Sequence, residues 1–141
     1  MEIQELPPEY LSALARQFGF LGAFLGGVSA TLFVTLLTLA TPSKVVRWAI
    51  GLAAVAAAAF IVTAYMSVGV VANTHPGSPT QGAEASFMSL QILMSLSFVI
   101  GILTLLGAIG VSGWSRSKTL GYVTSVVAFL AALPVLLDVF V

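Results

Sequence analysis

The sequence predicts an all-α membrane protein: a four-transmembrane-helix bundle forming a single domain of residues 1–141, with two helical hairpins joined by one outer loop. Two observations lead to this prediction. Hydrophobic residues make up 59% of the chain and charged residues 7%, whereas soluble domains average roughly 45–50% and 25%. Four apolar segments, at about 18–40, 46–72, 86–111 and 119–140, are each long enough as helices to cross a hydrocarbon core roughly 30 Å thick.

The composition also limits the function. The chain has no cysteine, and five basic residues balance five acidic ones. It therefore lacks thiolate chemistry and the basic surface that nucleic-acid binding requires. His75 is the single histidine, so a bis-histidine haem or a histidine-based metal cluster cannot form within one chain. We expect a protein that is not an enzyme, with no catalytic, cofactor-binding or metal site and no nucleic-acid partner.

Residues 8–17, which precede the first segment, also have helical spacing. Pro8 suits the first position of a helix, Glu9 suits its first turn, and apolar residues recur every three or four positions as far as Phe18. We predict either an extension of the first span or a separate interfacial helix that bends near Gly19. Because the first residues lack the basic region of a signal peptide, we expect the first span to remain in the mature protein.

The connections between the apolar segments differ in character. The first and third are short and polar, each with two basic residues and a tryptophan nearby, whereas residues 73–85 are rich in glycine, proline, serine and threonine and predict an aqueous loop. Pro134 lies inside the fourth segment and is expected to kink it.

Basic residues predict the orientation of the chain. Four of the five lie in loops 41–47 and 112–118, so these loops are expected in the cytoplasm, with both termini (N-out/C-out) and loop 73–85 on the outer side. One hypothesis pairs Arg16 with Asp138 near the outer surface; the alternative is simple exposure to water. The charges predicted to lie at the membrane surfaces are Arg16, Lys44, Arg47, Glu84, Arg116, Lys118 and Asp138.

Each apolar segment has a face of small residues. In the first, Gly22 and Gly26 form a GxxxG pattern, which allows two helix backbones to approach closely. The pattern fits packing against another helix of the same chain, and it also fits contact between subunits. The residues predicted to mediate helix packing are Gly22, Gly26, Ser97, Gly101, Gly121 and Ser125.

Polar residues inside the segments have two interpretations each. Thr31, Thr35 and Thr38 share one face of the first helix. They can return their hydrogen bonds to their own helix, or they can line a pore. Gln91, about one turn into the third segment, is expected either to face another helix or to reach the outer headgroups.

The leading functional hypothesis is a non-enzymatic integral membrane protein that acts through helix–helix association, as an assembly, anchoring or accessory subunit. Its expected partners are the lipid bilayer and either further copies of itself, in a homo-oligomer, or a larger membrane protein. The alternative is a homo-oligomeric channel lined by Thr31, Thr35 and Thr38. A small-molecule transporter is disfavoured because no ionisable residue lies at the centre of a predicted span.

Overall fold

The computed structural model describes residues 7–39, 43–74, 84–115 and 117–140, without the side chains of residues 8, 39, 84–87 and 135–140. Every regular element in this part of the chain is an α-helix, which confirms the all-α prediction. Helices α1 and α2 form the first hairpin and α3 and α4 the second. Their bounds are Pro8–Leu39 for α1, Lys44–Thr74 for α2, Glu84–Gly113 for α3 and Lys118–Phe140 for α4.

Three of the four helices are long and apolar enough to cross a membrane. The qualifying stretches are Glu9–Thr38, Lys44–Thr74 and Met88–Gly113, with 30, 31 and 26 residues. In α4 the corresponding apolar stretch, Lys118–Pro134, is shorter. Three candidate membrane spans are therefore present, and the fourth stays a prediction.

Local sequence signals explain where two helices begin. The backbone N–H of Val46 donates to Ser43 Oγ at 3.2 Å, and the N–H of Leu120 donates to Ser117 Oγ at 3.1 Å. Each serine thus satisfies one of the N–H groups that a helix start leaves without a partner inside the helix. Helix α1 continues through Gly19 without interruption.

The helices pack in chain order and with alternating direction. Helix α2 lies between α1 and α3 and contacts both along its length, while α1 touches α3 only narrowly. Helix α4 contacts α3, and within the described residues it contacts neither α1 nor α2. The helical bundle is therefore open on its α4 side, and its core is built by α1, α2 and α3.

In this protein the buried side chains are mostly small and many large apolar ones lie on the outer surface, whereas a soluble protein buries its large apolar side chains in the core. The buried face of α2 consists mostly of small residues, whereas Phe20, Trp48 and Tyr65 are 73%, 72% and 75% exposed on the outer surface. In water such a surface would aggregate, but lipid chains are as apolar as the side chains they would contact. This distribution and the three long apolar helices together indicate a membrane location.

The core has two layers. One contains Ala15, Val70 and Met94, one residue from each of α1, α2 and α3. The other is centred on Phe60 of α2, whose ring lies edge-on to Phe98 of α3 with centroids 6.0 Å apart. Phe98 in turn meets Phe18 of α1 edge-to-face at 4.8 Å. Aromatic contacts of this geometry stabilise the three-helix core beyond simple area burial.

Candidate functional site

Two glycines of α1 lie at its interface with α2. Gly22 and Gly26 are both buried and both face α2. A Cβ atom added to Gly22 would lie 3.1 Å from the Phe60 carbonyl oxygen and 3.3 Å from the Ala64 nitrogen. A Cβ added to Gly26 would lie 3.4 Å from Phe60 Cβ. The GxxxG surface is thus in contact with a helix of its own chain, and it brings the two backbones close together.

Phe60 is the side chain that sequence reasoning missed. It is fully buried, and it alone among the buried residues of α2 is aromatic. Its ring occupies the space that Gly101 of α3 leaves, since a Cβ added there would be 2.8 Å from the ring. The sequence feature that could have indicated this role is the position of Phe60 directly after the alanine-rich run 53–59, where it is a single large residue on a helix face of small ones.

Three of the buried polar side chains in the described core are hydroxyls that donate to carbonyls of their own helix. Ser29 donates to the Leu25 carbonyl at 2.8 Å, and Thr63 donates to the Ala59 carbonyl at 3.0 Å. Ser67 does the same with Ala64 at 2.7 Å. Within the described residues, no buried side-chain nitrogen or oxygen lacks a hydrogen-bond partner. These three side chains are small enough to fit between the helices, and their hydroxyl groups keep a hydrogen-bond partner in the apolar interior.

The threonines proposed as pore-lining residues lie on the outer surface of α1. Thr31 donates to the Gly27 carbonyl at 2.9 Å, and Thr35 donates to the Thr31 carbonyl at 2.8 Å. Thr38 donates to the Val34 carbonyl at 3.0 Å. Because each hydroxyl bonds to its own helix, this face can lie against lipid or another helix without water beside it.

The contact between α3 and α4 is organised by Trp114. Its indole packs on Gly121, where an added Cβ would lie 2.6 Å from the ring, and its Nε1–H donates to Ser125 Oγ at 3.1 Å. Thr124 Oγ1 donates to the Gly110 carbonyl of α3 at 3.1 Å. Gly121 and Ser125 therefore lie at the α3–α4 contact. Ser97 and Gly101 lie on the buried side of α3, with Ser97 8% exposed.

Of the predicted surface charges that the structure describes, three lie at helix starts and the fourth, Arg16, lies within α1. Lys44 and Arg47 are exposed at the start of α2, Lys118 is exposed at the start of α4, and Arg16 is exposed in the first half of α1. The side chain of Asp138 lies outside the described part of the chain, so the Arg16–Asp138 pair stays a prediction. Outside the description lie the side chains of Glu84 and Asp138, residues 75–83 with His75, and Arg116.

Comparison with known proteins assigns neither a family nor a function to this chain. No protein-family model, no curated protein and no solved structure matches this chain. The class is therefore defined by the fold alone: a helical protein with three segments able to cross a membrane. The features that distinguish its interior are the close glycine contacts, the locally bonded hydroxyls and Phe60.

Proposed function

We propose that this chain is a non-enzymatic integral membrane protein that acts by helix–helix association, as an assembly, anchoring or accessory subunit that binds copies of itself or a larger membrane partner. The observation that carries the proposal is the chemistry of the interior. Among the described residues, the buried polar side chains are Ser29, Thr63, Ser67 and Ser97, all of them hydroxyls. Ionisable groups inside a membrane usually mark transport or catalytic sites, and this interior supports packing instead.

Unpartnered helix surfaces support association. On the outer face of α1, Ala23, Gly27 and Thr31 are exposed at four-residue spacing, and a Cβ added to Gly27 would meet no atom within 4 Å. Small residues at this spacing allow a second helix to approach closely in lipid. Helix α4 has only α3 as a neighbour within the described residues, which leaves more helix surface uncovered than in a closed four-helix arrangement.

The subunit mass of 14.6 kDa allows a direct test by native mass spectrometry of the protein released from nanodiscs. We expect a particle containing two or more copies, or one copy with a co-purifying membrane protein. A single copy with no partner, from native membranes and nanodiscs alike, would contradict the proposal.

We also propose the sidedness expected from the basic residues: four spans, with loops 41–47 and 112–118 in the cytoplasm. The antiparallel order supports it, since α2 and α4 begin at the same end of the bundle, where Lys44, Arg47 and Lys118 are exposed. Single cysteines replacing Ser78 and Ser115 give the measurement. In intact cells an impermeant thiol reagent is expected to label Ser78→Cys and to spare Ser115→Cys. Labelling of Ser115→Cys alone would show that the chain has the opposite orientation in the membrane.

A further inference from the structure

A small pocket at the start of α2 is lined by two cations and an indole. Its described lining residues are Lys44, Arg47 and Trp48, and its volume is about 320 Å³, within the roughly 300–1,000 Å³ typical of ligand sites. The three residues follow an i, i+3, i+4 spacing, so they share one face of the helix. Val46 and Ala49, on the opposite face, are buried. The pocket therefore opens on the outer surface, away from the helix contacts.

The polar groups of this pocket are available to a ligand. Within the described residues, no hydrogen bond or ion pair joins the side chain of Lys44, Arg47 or Trp48 to another group. Trp114 differs, because its Nε1–H donates to Ser125 Oγ at 3.1 Å. An ammonium, a guanidinium and an indole N–H are all hydrogen-bond donors, and the guanidinium presents its donors in a fork that matches phosphate oxygens. The pocket is thus suited to an anionic acceptor.

The chain itself supplies no anion at this end of the helices. Its sequence contains no acidic residue between Glu9 and Glu84, nor between Glu84 and Asp138. Glu9 lies in the first turn of α1 and Glu84 is the first residue of α3, at the opposite end of the antiparallel bundle from Lys44. Two cations in the first turn of α2 also lie unfavourably at the positive end of its dipole. An external anion would compensate these charges.

Below the pocket, the same face of α2 continues as an apolar surface. The candidate span Lys44–Thr74 has 31 residues, and a helix of that length, about 46 Å, matches the roughly 40–45 Å of a bilayer with its headgroups. Its first turn therefore lies at headgroup depth. Gly51 and Val55 follow on this face and are exposed, and a Cβ added to Gly51 would meet no atom within 4 Å. The face combines a cationic end with an open apolar path.

We propose that this pocket binds the phosphate headgroup of an anionic phospholipid, with Lys44 and Arg47 donating to the phosphate oxygens and an acyl chain lying along Gly51 and Val55. Charge complementarity favours this occupant, because the cations have no counter-ion in the chain and the membrane surface supplies phosphate at this depth. The order of features along α2, with the cations first and the apolar surface after them, is also the order within a lipid molecule. The inference goes beyond helix association and does not depend on it.

Native mass spectrometry of the detergent-solubilised protein tests the site, because bound lipids and copies of the chain add different masses. Phosphatidylglycerol is expected to bind about 10- to 30-fold more tightly than phosphatidylcholine with the same acyl chains, whose headgroup has no net charge. Inorganic phosphate at the same concentration is expected to leave the lipid bound. Equal binding of the two lipids would overturn the proposal. Displacement of the lipid by inorganic phosphate would assign the pocket to a soluble anion and would overturn it too.

Arg47→Gln and the control Lys118→Gln distinguish a site from a diffuse positive surface. Each removes one exposed cation from a helix start at the same end of the bundle, and Lys118 does not line the pocket. We expect Arg47→Gln to weaken phosphatidylglycerol binding about 10-fold or more, because charge-assisted hydrogen bonds are lost. Lys118→Gln should weaken it by less than about 5-fold. Equal losses from the two variants would overturn the site.

Lys44→Gln gives an independent removal of a lining cation, and its loss of lipid binding should also exceed that of Lys118→Gln. All three side chains are exposed, so the melting temperatures of the three variants without lipid should equal that of the wild type. Loss of lipid binding at an unchanged melting temperature would therefore come from the pocket and not from unfolding. Wild-type lipid binding by both Lys44→Gln and Arg47→Gln would exclude the pocket and leave the association function standing.

Discussion

Replacing Gly22 and Gly26 together by leucine is expected to separate α1 from α2 and to produce the largest loss of stability of any change considered for this protein. The atoms nearest to Gly22 are the Phe60 carbonyl oxygen and the Ala64 nitrogen, which belong to the α2 backbone. A backbone cannot rotate away as a side chain can, so both helices would have to move apart. Overpacking at one site typically destabilises by 1–3 kcal/mol, so we expect roughly 3 kcal/mol or more for the pair.

Thermal unfolding in detergent measures this effect, and Gly51→Leu provides the control. Gly51 is exposed on α2, and its added Cβ would meet open space. The control should therefore keep a melting temperature close to that of the wild type. Equal melting temperatures for the wild type and for the double variant would mean that α1 does not pack on α2 through these glycines.

Gly101→Ala is expected to destabilise the protein by about 1–3 kcal/mol through a single added methyl group. The new Cβ would lie 2.8, 2.9 and 3.0 Å from the Cε1, Cδ1 and Cζ atoms of Phe60. The ring cannot move aside easily, because Phe60 is fully buried and packs against Phe98 and Gly26. The measurement is again the melting temperature in detergent.

Two further variants make this second prediction specific. Gly51→Ala adds the same methyl group to α2 where nothing lies within 4 Å, and it should leave stability unchanged or raise it by about 0.5–1 kcal/mol through helix propensity. Phe60→Leu, combined with Gly101→Ala, should recover part of the loss because the smaller side chain vacates the contact. A double-mutant cycle with no coupling energy between positions 60 and 101 would rule out the ring–glycine contact.

The sequence determined the secondary structure for reasons that are local. Long apolar runs between Pro8 and Phe140 can satisfy their backbone groups in lipid only as helices or closed barrels, and their lengths suit helices. Ser43 and Ser117 each precede a helix, and the side-chain oxygen of each accepts a hydrogen bond from a backbone N–H of the first turn, as is typical of serine at this position. These features depend on a few neighbouring residues, so they can be read without knowing which helices meet.

Only the tertiary structure decided which faces meet. Helix α1 carries two small stripes one residue apart, and the stripe of Gly22 and Gly26 faces α2 while that of Ala23 and Gly27 is exposed. Likewise, Phe60 is buried whereas Tyr65, on the same helix, faces outward. In a soluble protein hydrophobic periodicity would separate the inner face from the outer one. Lipid is as apolar as the interior, so that periodicity is lost, and the choice of faces depends on shape complementarity between residues far apart in the chain.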